Sequence, residues 1–266
     1  MRGKEQRDLI AHIASFSLHK AGNYPDENDD ACRPIGKRGV RSDRLRAAVS
    51  DGATEGFQSG RWANYLVEAF IRSPSLEVQR ISRRARHRWE KWLTTYLDER
   101  ARERPIQWWE EPALERGAFA SIIGLQISAS SNGDDSHWNA IAIGDSCLFH
   151  VRGTELLRAF PISDSTSFTN RPVLLPSNIA YIQPQNNTAN YTAGGECRAD
   201  DTFYLVTDAF AQWILARSEE NRSPWLALRD LDTDAEIRQF DDWIRDLRTS
   251  GELRNDDVTL VRVDLL

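Results

Sequence analysis

Aspartates recur in this sequence where an apolar run begins or ends. Asp29-Asp30 closes an acidic loop, and Asp51-Gly52 follows Leu-Arg-Ala-Ala-Val-Ser. Asp208 follows Tyr-Leu-Val-Thr, and Asp256-Asp257 comes just before the last apolar run. A carboxylate at a strand end is held by a rigid sheet while its loop keeps it near solvent. Several such groups brought together repel one another unless cations neutralise them. Hard oxygen donors, with no Cys or His at ligand spacing, favour Mg2+ or Mn2+ over zinc. Gly52 has no side chain, so its carbonyl can approach an ion closely. Each piece alone also has a plain reading: a turn, a helix cap at Asp208, an acidic surface pair. Their order along the chain gives the set its weight.

The elements that would position these groups follow from the hydrophobic period. Leu9 to Leu18, Leu45 to Ser50, Trp138 to Ile143, Cys147 to Val151, Thr202 to Thr207 and Val258 to Leu266 read as strands, as does the alternation Phe119, Ile123, Leu125, Ile127. Asn132-Gly133-Asp134 is a turn signal between two of them. Ala63, Leu66, Val67 and Phe70 predict a helix over 54–71. Val78, Ile81, Ala85, Trp89, Trp92, Leu93 and Tyr96 predict a longer one after Pro74. The two should pair as an antiparallel hairpin over a sheet. A helix should run from Asp208 through Arg217, and one or two more should fill 223–249, with Ile237, Phe240, Trp243, Ile244 and Leu247 on one side. Residues 161–198 read as an extended flap, with a turn at Gly194-Gly195. The expectation is an α+β fold: two stacked antiparallel β-sheets flanked by α-helices, an αββα sandwich in a single domain over 1–266.

The bulk properties exclude several classes. The 266 residues carry a net charge of -6, with 40% hydrophobic and 28% charged residues, an ordinary globular balance. Such an acidic chain has no electrostatic reason to bind nucleic acid or an anionic membrane. The basic stretch Arg80 to Arg104 contains Glu90, Asp98, Glu99 and Glu103 and reads as a solvated helix face. Cys32, Cys147 and Cys197 form neither a disulfide framework nor a zinc pattern, which suits a reducing compartment. No apolar run approaches the roughly 20 residues of a membrane span, and the N-terminus lacks a signal-peptide core. The expectation is a cytoplasmic monomer. The five histidines are scattered, and His12 and His150 fall in strands as structural residues. Most tryptophans read as core, and Trp108-Trp109 as packing over the helices rather than as a partner surface.

Taken in order, the acidic segments resemble the metal-dependent protein phosphatases of type 2C. Asn28-Asp29-Asp30-Ala31 is similar to that family's Asn-Glu-Asp-Ala, and Ala48-Val49-Ser50-Asp51-Gly52 to its strand ending in Asp-Gly. Ile143-Gly144-Asp145-Ser146 resembles its Gly-Asp-Ser turn, a mainly structural element. Leu205-Val206-Thr207-Asp208-Ala209 resembles its Ser-Asp-Gly, and Asp256-Asp257-Val258-Thr259 its closing Asp-Asn/Asp-x-Thr. The resemblance implies a serine/threonine phosphatase that hydrolyses phosphoserine or phosphothreonine with water activated by two Mg2+ or Mn2+ ions. It places Asp51 between both ions and the Gly52 carbonyl on one of them. Asp208 and Asp256 complete one shell, and Asp29 and Asp30 hold the other ion directly or through water. Asp51 and Asp30 are the residues expected nearest the chemistry. The implied partner is a phosphorylated protein, with a cognate serine/threonine kinase beside it.

The sequence departs from the family at several positions. Ala53 stands where many members carry His, and Thr54-Glu55 replaces glycines. Pro25 occupies the place of a phosphate-gripping Arg, for which Lys20, Arg33 and Lys37 are the possible substitutes. Leu114 falls where an Asp would serve a third metal. These departures leave a second reading open: a catalytically weak or inactive phosphatase-like module that binds a phosphoprotein or kinase.

Overall fold

The computed structural model describes residues 8–54, 56–130, 136–182, 191–229, 231 and 235–266. Its strands are β1 (Leu9–Leu18), β2 (Ala31–Arg33), β3 (Arg38–Ser42), β4 (Arg44–Ser50), β5 (Phe119–Ala120), β6 (Ile122–Ser128), β7 (Ser136–Ile143), β8 (Cys147–Arg152), β9 (Glu155–Phe160), β10 (Leu175–Pro176), β11 (Tyr191–Cys197), β12 (Asp201–Val206) and β13 (Val258–Leu265). Its helices are α1 (Ser59–Arg72), α2 (Val78–Glu103), α3 (Glu111–Arg116), α4 (Asp208–Glu219), α5 (Pro224–Arg229) and α6 (Ala235–Thr249). One sheet runs β3-β1-β13-β12-β8-β9 and the other β11-β7-β6-β4-β2, antiparallel throughout, with β10 and β5 paired apart. The expected αββα sandwich is the observed architecture.

The layers follow from which side chains each strand turns to each face. Leu9, Ala11 and Ile13 of β1 meet Ala47, Val49, Leu125 and Ala140 between the sheets. Ala14, Phe16 and Leu18, in the opposite phase, pack with Phe210, Ile214, Phe240 and Ile244 beneath α4 and α6. On the far side, Ala48, Ile122, Ile141 and Ile143 pack against Trp62, Leu66, Phe70, Ile81 and Trp89 of the α1–α2 hairpin. Strands buried on both faces are apolar at most positions: Phe203, Tyr204, Leu205 and Val206 of β12 run without a break, and five of the eight residues of β13 are apolar. Gly124 lets α1 approach closely, because a Cβ there would lie 2.4 Å from the Phe70 ring.

Several expectations need correction. The first helix begins at Ser59 rather than 54, because the preceding residues bond to β5 and to the chain leading into it instead. Ala53 N–H donates to Phe119 O at 2.9 Å, and Phe57 N–H donates to Gly117 O at 3.1 Å. The flap contains an edge strand, β11, and Gly194-Gly195 lies inside it rather than in a turn. Cβ atoms there would stand 3.0 Å from the Asn139 side chain and 3.1 Å from Trp138 Nε1, so these glycines make room for β7. Trp108 and Trp109 do not pack over the helices. They are 75% and 57% exposed between α2 and α3, their rings edge-on to each other at 5.7 Å. Beside them Glu110 is tied to Arg100 and Arg104, which fixes the loop without burying the indoles. The Asn132-Gly133-Asp134 turn, Glu55 and the Ile237 side chain lie outside the described residues.

Other expectations hold. The basic stretch of α2 is a helix face paired with acids: Arg80 to Glu77, Arg88 to Glu68, Arg100 and Arg104 to Glu110. All three cysteines are buried and outside any disulfide. Among the described residues, no helix is long and apolar enough to cross a membrane.

His150 is structural. It stacks on Phe203 at 4.3 Å and shares its Nε2 with Asp201 Oδ2 at 2.9 Å. Asp201 is fully buried and also accepts from Arg152 Nε and Nη2 at 2.6 and 3.0 Å. Burial alone would push its carboxyl up, but Arg152 and His150 outweigh that and hold it below the usual range. Removing the acid leaves the His150 ring buried without its carboxylate and takes two hydrogen bonds from Arg152. Asp201→Ala should therefore lose about 3 kcal/mol in urea denaturation, and a loss under ~1 kcal/mol would contradict this reading of the network.

Candidate metal centre

The acidic residues meet at one end of the sandwich, where β4, β8, β12 and β13 begin or end. Asp51 leaves the end of β4 and is braced from two sides. Its N–H donates to Ser121 Oγ at 3.2 Å, and its carbonyl accepts from Ser121 N–H at 2.8 Å. Ser121 Oγ shares a 2.6 Å hydrogen bond with Ser146 Oγ, which ties Asp51 to the β7–β8 turn. That turn needs Gly144 at φ +93°, where a Cβ would also overlap Ser121. The same turn delivers Asp145.

Asp51, Asp145 and Asp208 each place a carboxylate oxygen within 4.8 Å of the others. Asp145 is therefore part of the cluster, where the sequence suggested a mainly structural turn residue. Asp208 opens α4, behind Thr207 as N-cap, and its Oδ1 accepts from Ala209 N–H at 2.6 Å. A helix N-terminus favours such an anion. Asp256 stands beside this trio rather than within it. Arg254 Nη2 bridges the Oδ2 atoms of Asp208 and Asp256, the latter at 3.1 Å.

Asp30 lies deeper. Its Oδ2 accepts from Thr207 Oγ1 at 3.1 Å, while Oδ1 is buried without a hydrogen-bond partner among the described residues. Asp29 points elsewhere: its Oδ1 accepts from Gly60 N–H at 2.9 Å in the first turn of α1. The loop carrying both is stapled by Asp257, a residue the sequence reading left without a role. Asp257 Oδ2 accepts from Asp29 N–H at 2.8 Å and its Oδ1 from Lys20 N–H at 2.7 Å. Gly52 packs so tightly that a Cβ would lie 2.7 Å from Asp29 O and from the Ser59 backbone. Close packing thus requires glycine there whether or not its carbonyl meets an ion.

The charges are frustrated. Burial, then Asp30, Asp208, Asp145 and Asp256, push the Asp51 carboxyl well above the ordinary range. Burial, then Asp257, do the same to Asp30. Burial and Asp208 push Asp145 up to about 7. An orphaned buried oxygen beside three crowded acids fits a site for hard divalent cations.

Two cavities flank this floor. One, of about 480 Å³, is lined by Asp51, Gly52, Asp145, Asp208, Asp256 and Arg254, among others. The other, of about 650 Å³, borders Asp29, Lys20 and Arg61 but holds none of the clustered trio. Thr54 lines both. Of the possible phosphate-gripping cations, Arg33 is engaged by Glu68 at 2.9 Å and Lys37 lines neither cavity. Lys20 lines the larger one. No model of a known protein family matches the sequence, and no curated protein does.

Solved structures match the fold. The Mycobacterium tuberculosis serine/threonine phosphatase PstP/Ppp aligns over 97% of this chain and 99% of its own, at 18% identity and a TM-score of 0.57. The catalytic domain of PstP in complex with two manganese ions aligns over the same shares, at 17% identity and a TM-score of 0.56. PppA, a regulatory component of the type VI secretion system in Pseudomonas aeruginosa, aligns over 96% and 98%, at 15% identity and a TM-score of 0.52. At these identities the likeness establishes the fold, which is that of the type 2C phosphatase domains.

Proposed function

We propose that this chain is a metal-dependent protein serine/threonine phosphatase. The observation that carries the reading is the convergence of Asp51, Asp145 and Asp208 within 4.8 Å, beside a buried Asp30 oxygen that has no hydrogen-bond partner among the described residues. On this reading Asp51, Asp208 and Asp256 hold one Mg2+ or Mn2+ ion, with Asp145 alongside. Asp51 would also reach a second ion, together with the Gly52 carbonyl and Asp30, whereas Asp29, turned to Gly60 N–H, would serve only through water. Two such ions supply an acidified water nucleophile and a clamp for phosphate oxygens during in-line displacement. The chain does the rest by position. Ser121 and Ser146 fix Asp51, Asp257 and Thr207 fix the Asp29-Asp30 loop, and the cavity walls orient the phosphoryl group. Ala53 offers no proton, so the leaving alkoxide takes one from solvent. The substrate is a phosphoserine or phosphothreonine protein, made by a cognate kinase, in the cytoplasm, and the chain acts as a monomer.

Ala53 and Pro25 favour a second reading, a phosphatase-like module that binds a phosphoprotein or kinase without turning it over. The retained acids argue for the enzyme, since crowded carboxylates have no structural use. Hydrolysis of p-nitrophenyl phosphate and of a phosphothreonine peptide separates the two. Turnover with Mn2+ or Mg2+ that EDTA abolishes supports the enzyme. Binding of the peptide with no turnover under any metal supports the module.

A further inference from the structure

The acidic floor raises a problem of charge for any phosphate ligand. Asp30, Asp145, Asp208 and Asp256 all press on Asp51, and Asp257 presses on Asp30 from behind. Two divalent cations would bring four positive charges against these six carboxylates, so the filled site would still be negative before a dianionic phosphate monoester arrived. Metal ions alone therefore leave the anion unmatched, and further positive charge must come from the chain.

Two arginines border the same cavity, and they come from different elements. Arg254 lies in the loop before β13, Arg171 in the segment between β9 and β10. Arg254 is held in place through a single nitrogen: Nη2 bridges Asp208 and Asp256, while Nε and Nη1 have no partner among the described residues. Its side chain remains 43% exposed. Such a guanidinium is already oriented, and its Nε–H and Nη1–H, on different edges, each remain able to donate to an oxygen of a ligand. Arg171 is exposed and forms no hydrogen bond or ion pair among the described residues. Both arginines together offset that remaining negative charge.

We infer that Arg254, assisted by Arg171 at the rim, recognises the phosphoryl group of the substrate. This assigns the anion grip to the loop before β13, on a different cavity from the one that the residues around Pro25 line. The inference rests on the phosphatase reading, and its test separates the two. Isothermal titration of the Mn2+-saturated protein with inorganic phosphate is compared for wild type, Arg254→Ala, Arg254→Lys and Arg171→Ala, with Mn2+ titrated into each beforehand. A guanidinium grip predicts that Arg254→Ala weakens phosphate binding roughly 10- to 100-fold and Arg171→Ala less. Arg254→Lys should restore part of the loss. Mn2+ should bind all variants at the wild-type stoichiometry, and Arg254→Ala no more weakly than wild type, because its loss frees Asp208 and Asp256. With p-nitrophenyl phosphate, Arg254→Ala should raise KM more than it lowers kcat.

Unchanged phosphate affinity in Arg254→Ala overturns the inference and leaves the phosphatase reading standing. So does parallel loss of Mn2+ and phosphate in both Arg254 variants, which would make Arg254 a brace for the carboxylates. A wild-type protein that binds Mn2+ but neither phosphate nor substrate overturns both readings.

Discussion

Asp51→Asn should lower metal-dependent phosphatase turnover roughly a thousandfold, the scale of losing several kcal/mol of charge stabilisation by metal. The same substitution should raise the melting temperature of the metal-free protein. These opposite effects have one cause. Asp51 is crowded by four other carboxylates and pushed well above its ordinary range, first by burial. Neutralising it relieves the repulsion that metal binding otherwise relieves. The Mn2+-induced rise in melting temperature should shrink with it, since stabilisation by a ligand follows its affinity. A variant with normal turnover, or one that melts lower without metal yet keeps its full response to Mn2+, would show that Asp51 is not the shared ligand.

Asp145 should also take stability from the metal-free protein as the pH rises from about 4 to about 8. The Asp145 carboxyl sits at about 7 in the fold against an ordinary value of 3.8, chiefly through burial and then through Asp208. Below pH 4 both the folded and unfolded chains hold its proton. Between 4 and 7 only the folded chain does, and by pH 8 the fold contains an ionised, repelled carboxylate. The difference is on the order of 4 kcal/mol. Asp51 and Asp30 shift in the same direction. His150 works oppositely: burial holds it below its ordinary 6.5, so it destabilises the fold on the acid side. Comparing wild type with Asp145→Asn in urea and EDTA therefore isolates the acid. The variant should flatten the decline, and saturating Mn2+ should reverse it, because metal requires the ionised ligands. A variant with the wild-type pH profile would remove Asp145 from the cluster.

Much of this architecture was legible in the sequence because the physics there is local. Leu9–Leu18 and Val258–Leu265 are apolar at most positions, as strands covered on both faces must be. Asp51 and Asp208 follow such runs directly, and the residue after a buried strand has few places to go. Asp145 was harder to read. Gly144-Asp145-Ser146 has the composition of an ordinary turn, and only the third dimension shows that Ser146 and Ser121 aim that turn at Asp51. Arg254 gave no signal at all, since an arginine in a polar loop looks solvated until Asp208 and Asp256 are placed on either side of it. Edge strand β11 was hidden by Gly194 and Gly195, which lower strand propensity while making room for Trp138 and Asn139 across the pair. Trp108 and Trp109 mislead for the opposite reason, because large apolar residues suggest burial and here the loop leaves both rings in solvent.

Diffraction recorded at the manganese absorption edge, from crystals grown with Mn2+, bears most directly on the centre. Two anomalous peaks roughly 3.5 to 4 Å apart, with Asp51 touching both and Asp208 touching one, are the expected result. Asp51, Asp145 and Asp208 turned away from one another, with no manganese between them, would contradict the account.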